Sequence, residues 1–139
     1  MRARPRMDPA EVAGLGALLL SSREPALREG AARALADSGM VSAYAYLRHA
    51  LWDPVESVQR CAVQAVAALA VRQSAGELAA LYAWSGPRLR ETILQAVRRI
   101  GCQAGFDAVL RLARDDPDSR VRLLAARVGR AAAPVRGRS

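Results

Sequence analysis

This chain contains no lysine; all 21 of its basic residues are arginine. It has one histidine, two cysteines and only 4% aromatic residues within an apolar fraction of 52%. Each scarcity excludes something. With His49 alone and no cysteine or carboxylate cluster at ligand spacing, the common metal centres have no ligand set. There is no glycine-rich phosphate loop and no Ser/His/Asp set in a plausible order, so the chain is expected to be no enzyme and to carry no cofactor. Cys61 and Cys102 read as small buried hydrophobes rather than as a bridge. No apolar run approaches the roughly 18 residues a membrane span needs, and no membrane association is expected. Nothing alternates with period two, which excludes a sheet. Low aromatic content leaves packing to Ala, Leu and Val, a composition that suits closely approaching helices.

The net charge of +8 is unevenly placed. Arg2, Arg4 and Arg6 stand in residues 1–7 without an acid, and Arg130, Arg136 and Arg138 stand near the other end without one. Residues 8–129 hold 15 arginines against all 13 acids. The body is therefore almost neutral and the tails, 1–7 and 133–139, are basic. The exclusive use of arginine reads as a coding preference rather than as selection for bidentate anion contacts. Basic residues followed by the apolar run Val12–Leu20 mimic a secretory signal. Asp8 and Glu11 interrupt that pattern, so a cytoplasmic chain is expected.

One short pattern is present four times. It reads Leu27-Arg28-Glu29-Gly30-Ala31-Ala32-Arg33, then Val58-Gln59-Arg60-Cys61-Ala62-Val63-Gln64. Leu89-Arg90-Glu91-Thr92-Ile93-Leu94-Gln95 and Val121-Arg122 through Arg127-Val128 complete the set. The aliphatic anchors at 27, 58, 89 and 121 are spaced by 31, 31 and 32 residues. Self-similarity at such a period implies stacked units, none able to bury its apolar face alone. One domain is expected over 8–132, with units at about 8–39, 40–72, 73–101 and 102–132.

From Val58, apolar residues recur at Ala62, Ala65, Val66 and Leu69, one stripe of a helix with 3.6 residues per turn. Pro25, Pro54, Pro87 and Pro117 precede the anchors, and proline is tolerated in a first helical turn. Asp53, Asp116 and Ser85 are placed to accept from the free N–H groups there. Gly39 and Gly101, each twelve residues beyond its anchor, suit left-handed helix ends. A second helix is expected upstream of each anchor, at about 8–21, 41–52, 74–84 and 103–114. Trp52 and Trp84 fall at the ends of two such helices and are expected to pack over the joints. Tyr44 and Tyr46, two apart, cannot share a helix face, so one is expected to be exposed.

An Asp-Pro pair, an aliphatic-Arg pair, Ala-rich apolar spacing and a closing glycine together resemble the HEAT repeat. The likeness is to the short bacterial HEAT-like type of the phycobilin lyases. It is carried best by Asp116-Pro117-Asp118-Ser119-Arg120-Val121-Arg122 and by Pro87-Arg88-Leu89-Arg90. Two positions depart from the pattern: Gln59 stands where arginine is expected, with Arg60 beside it, and Glu24 replaces the aspartate before Pro25. The resemblance implies an all-α, right-handed, armadillo-like superhelix (solenoid) of four helix-turn-helix repeats. It implies a structural ladder in which Arg28, Arg90 and Arg122 hydrogen-bond turn aspartates, Asp53 and Asp116 among them. It also places the second helix of each unit on a concave surface.

On that surface a polar row is expected from Arg33, Gln64, Gln95 and Arg127, joined by Arg60, Arg98, Arg99 and Arg130. In-register long polar side chains suit an acidic peptide or protein, which makes a scaffold or protein-binding module the leading expectation. Nucleic-acid binding in the manner of HEAT-like DNA-repair proteins, through the arginine tails and the concave arginines, is an alternative. A maturation factor or lyase subunit for a cofactor-bearing protein is another. Leu123, Leu124 and Val128 are expected to lie uncovered on the last unit and to favour self-association.

Overall fold

Capping chemistry decides where the helices begin. In this computed structural model, which describes residues 7–132, Asp8 and Glu11 form a reciprocal capping box that opens α1, Pro9–Ser21. The Asp8 carboxylate accepts from the Glu11 amide at 2.9 Å, and the Glu11 carboxylate accepts from the Asp8 amide at 2.8 Å. Two orphan amides are thereby satisfied. Helices α2, Pro25–Asp37, and α6, Pro87–Ile100, start on their prolines. Helices α4, Glu56–Ala68, and α8, Ser119–Ala132, start two residues after Pro54 and Pro117. Between them lie α3, Tyr44–Ala50, α5, Ala75–Tyr82, and α7, Gln103–Arg114. Short 3-10 turns, Val41–Ala43 and Arg72–Ser74, lead into α3 and α5. The described residues are all-helical with no strand. The basic tails fall outside the described residues, apart from Met7.

The turn carboxylates act differently from a simple helix cap. Asp53 and Asp116 accept from the amides two residues on, Val55 and Asp118, each at 2.9 Å. This closes an Asx turn around the proline. The cap of α8 is Asp118, which accepts from the Arg120 amide at 2.8 Å. Ser85 does not accept at all in this role: its hydroxyl donates to the Leu81 carbonyl at 2.7 Å, and Gly86 precedes α6 instead.

Gly39 and Gly101 end α2 and α6 with φ of 70° and 83°. Ala70 occupies the same register position after α4 and is also left-handed, with φ of 53°. A Cβ makes that conformation costly, so the second unit carries backbone strain its neighbours avoid.

The helices pack as pairs, α1 on α2, α3 on α4, α5 on α6 and α7 on α8. The second members also contact in succession, α2 to α4 to α6 to α8. Leu35, Leu47, Leu51, Val58, Val63, Val66, Leu78, Leu81, Leu89, Ile93, Leu94 and Val97 are fully buried among them. Each such side chain contributes roughly 1.5–3 kcal/mol by leaving water. First members meet through small residues: α1 packs on α3 where Gly16 lies under the Tyr46 ring, and α5 on α7 where Gly105 faces Ala75. Helices α3 and α5 lack a comparable contact.

Three expectations are corrected here. Trp84 does not pack over a joint but stands 82% exposed, whereas Trp52, 42% exposed, reaches across one to Glu77. Tyr44 is buried and Tyr46 half-buried, because the latter covers Gly16. Leu124 and Val128 are covered by the chain itself and belong to the core, so only Leu123, 60% exposed, remains of the predicted uncovered face.

Candidate interaction groove

Buried anchors, Val58 and Leu89, fix the rotation of α4 and α6, and Ala31, Ala32 and Leu35 fix that of α2. Residues three, six and ten past each anchor then point away from the core on a common side. Across the three helices these positions line an open groove of about 520 Å³. Its floor is largely alanine, Ala36, Ala65, Ala68 and Ala96, which keeps it shallow and accessible. The polar lining is Arg33 and Asp37 from α2, Gln64 from α4, and Thr92, Gln95 and Arg99 from α6.

Of the sequence-derived residues, the groove gathers Arg33, Gln64, Gln95 and Arg99. Arg60, Arg98, Arg127 and Arg130 do not line it; Arg60 is half-buried and the other three are exposed elsewhere. Arg98 and Arg99 differ by the 100° of one helical residue, which is enough to send one into the groove and its neighbour out. Thr92, Asp37 and Cys61 were not among the expected residues. Their register, three or ten past an anchor, is the signal that identifies them.

Charge within the groove is graded rather than uniform. Arg33 lies 3.4 Å from Glu29, one turn back, so its charge is partly compensated. Arg99 makes no ion pair among the described residues. Cys61 lines the groove wall but is buried, and that burial pushes its thiol pKa up, against the pull of the Arg33 charge. A protonated, covered thiol is a poor nucleophile. Among the described residues no cluster of His, Cys, Asp or Glu has the make-up of a metal site, and no helix is long and apolar enough to cross a membrane.

On another face, the residue after each anchor bridges helix ends and turns. Arg28 donates through Nε and Nη2 to both oxygens of Asp53, at 2.8 and 3.1 Å, and through Nη1 to the Ser22 carbonyl at 2.8 Å. Arg90 donates to Asp116 at 2.8 Å and to the Tyr82 carbonyl at 3.0 Å, its guanidinium 4.7 Å above the Tyr82 ring. The Tyr82 hydroxyl donates to the same Asp116 carboxylate. Burial opposes ionisation of Asp116, but the bonds from Tyr82, the Asp118 amide and Arg90 outweigh it and hold its pKa below the ordinary value. The Tyr82 hydroxyl is correspondingly held neutral, by burial first and then by the Asp116 carboxylate.

The joint between the second and third helix pairs is built otherwise. Gln59 reaches its own unit's Leu51 carbonyl at 2.9 Å and no carboxylate, since Ser85 replaces the turn aspartate. Arg60 does not take the missing arginine's place, as it makes no ion pair among the described residues. The Trp52 indole instead donates to Glu77 at 2.7 Å, with Arg48 3.8 Å from the same carboxylate. At the last unit Arg122 turns back on the carbonyls of Asp116, at 2.6 Å, and Pro117, at 3.0 Å.

No family model matches this chain, and no curated protein shows significant similarity to it.

Proposed function

We propose that the four helix pairs are HEAT-like units stacked as a right-handed superhelix, and that the chain is a non-catalytic protein-interaction module. The groove over α2, α4 and α6 is the binding face, and its occupant is a segment of a protein partner, acidic where it meets Arg99. The observation that carries this reading is the continuity of the groove across three units. Two in-register glutamines, Gln64 and Gln95, lie at its centre over an alanine floor. A glutamine amide both donates and accepts, as a peptide main chain does, whereas a phosphate backbone only accepts. Asp37 in the lining, with Glu29 beside Arg33, further disfavours a polyanion.

Affinity capture from the native cell tests the proposal. The intact chain should retain a partner that a Gln64→Ala/Gln95→Ala/Arg99→Glu variant of equal melting temperature loses. A partner retained equally by both would overturn the groove assignment. Binding to DNA with a steep salt dependence would overturn the choice of a protein ligand.

A further inference from the structure

The two outer faces of the helical array, at α2 and at α8, differ from its internal joints at corresponding positions. The anchors Val58, Leu89 and Val121 are buried, but Leu27, the anchor of the first unit, is 46% exposed. Two residues past each anchor, the units carry Glu29, Arg60 and Glu91, all half-buried. The last unit carries Leu123 there, 60% exposed. One residue before the anchor, units two to four carry Ser57, Arg88 and Arg120, and the first carries exposed Ala26. These two positions face each other at the first joint, where the Ser57 hydroxyl donates to Glu29. The pair is thus polar at internal joints and apolar at both outer faces.

The charged position beside them follows the same logic. At the first and third internal joints the arginine after an anchor binds the aspartate that precedes the next unit's proline, as Arg28 binds Asp53 and Arg90 binds Asp116; the middle joint has neither residue. At the outer faces an exposed arginine, Arg122, remains at the α8 end. An exposed acid before a proline, Glu24, remains at the α2 end.

We infer that a second copy of this chain docks head to tail, its α2 face on the α8 face of the first. Leu123 packs on the partner's Ala26 and the partner's Leu27. Arg122 leaves its own turn carbonyls to pair with the partner's Glu24. The contact reproduces an internal joint with its polar facing pair exchanged for an apolar one. It is heterologous, because each copy uses two different faces, so assembly does not stop at a dimer. This surface is independent of the groove over α2, α4 and α6.

Light scattering of the full chain over a wide concentration range should show a mean mass that climbs past that of a dimer. Leu123→Glu, or Ala26→Glu in the first turn of α2 where a carboxylate suits the helix dipole, should each weaken association roughly tenfold or more. Both sites are exposed, and circular dichroism should show unchanged folding. Arg122→Glu should weaken association too, and adding Glu24→Arg should restore it. Because each blocked variant keeps one competent face, mixing Leu123→Glu with Ala26→Glu should yield a one-to-one dimer. A strictly monomeric chain, a mass that halts at the dimer, or a mixture that stays monomeric would each overturn the inference.

Discussion

The first and third joints between helix pairs are tied by an arginine–aspartate pair, and the middle joint is not. At the outer two, a guanidinium joins a helix-end carbonyl to a buried or half-buried turn carboxylate. The small residues Gly16 and Gly105 also let the first helices of adjoining units touch. At the middle joint both members of the pair are missing together, Gln59 for arginine and Ser85 for aspartate, and α3 and α5 are not closely packed. Contact there rests on α4 against α6 and on the exposed Trp52–Glu77 bond. The polar tie is thus a two-residue device: at this joint an arginine without its carboxylate would be a half-buried charge lacking a partner.

The largest loss is expected at the third joint. Asp116→Ala strands the Tyr82 hydroxyl and the Arg90 guanidinium and should cost about 3 kcal/mol in urea unfolding. Gln59→Ala at the middle joint should cost about 1 kcal/mol or less. The acid limb of stability carries the same signature. The folded Asp116 carboxyl titrates below its ordinary value of 3.8. Its contribution is complete above that value and is lost as pH falls through the lowered folded one. Asp116→Asn should therefore flatten the acid limb of a melting-temperature profile.

Next in size is the packing of first helices. Gly16→Val drives a side chain into the Tyr46 ring and should cost about 2 kcal/mol. Gly76 on α5 has open space around it, so Gly76→Ala should instead stabilise by roughly 0.5–1 kcal/mol through helix propensity. Similar melting shifts for the two would erase the contrast between the joints.

The missing tie can be built into the middle joint. Gln59→Arg with Ser85→Asp should gain about 1 kcal/mol over the sum of the single changes, read from a double-mutant cycle. Strict additivity would show that the middle joint lacks the geometry as well as the residues. The smallest effect belongs to Ala70→Gly, which should gain roughly 0.5 kcal/mol by relieving the left-handed alanine. The same exchange reversed at Gly101 should lose a similar amount.

Much of the architecture is legible in the chain because it depends on spacing. Anchors every 31 or 32 residues, prolines before them and glycines twelve after the first and third define helix pairs by local rules. The groove is legible only in part. Gln64 and Gln95 share a register that any helical wheel shows, but Arg98 and Arg99 look equivalent until the helix rotation is known. Ala70 gives no warning of its left-handed backbone, since alanine ordinarily marks a helix interior. Trp84 misleads in the opposite sense, because its size suggests burial at a place where no neighbouring helix arrives.

Local sequence was enough to mark most helix starts, the glycine-ended helices and the stripe of each helix that seeks the core. Those outcomes rest on capping, proline and glycine stereochemistry and a periodic apolar pattern, all of which act within a few residues. Tertiary packing decided the rest. It paired Arg28 with Asp53 and Arg90 with Asp116 across 25 and 26 residues of chain. It buried Leu124 and Val128 but left Leu123 and Leu27 facing outward. A side chain's exposure depends on which neighbouring helix covers it, and that is a property of the assembled array rather than of any single repeat.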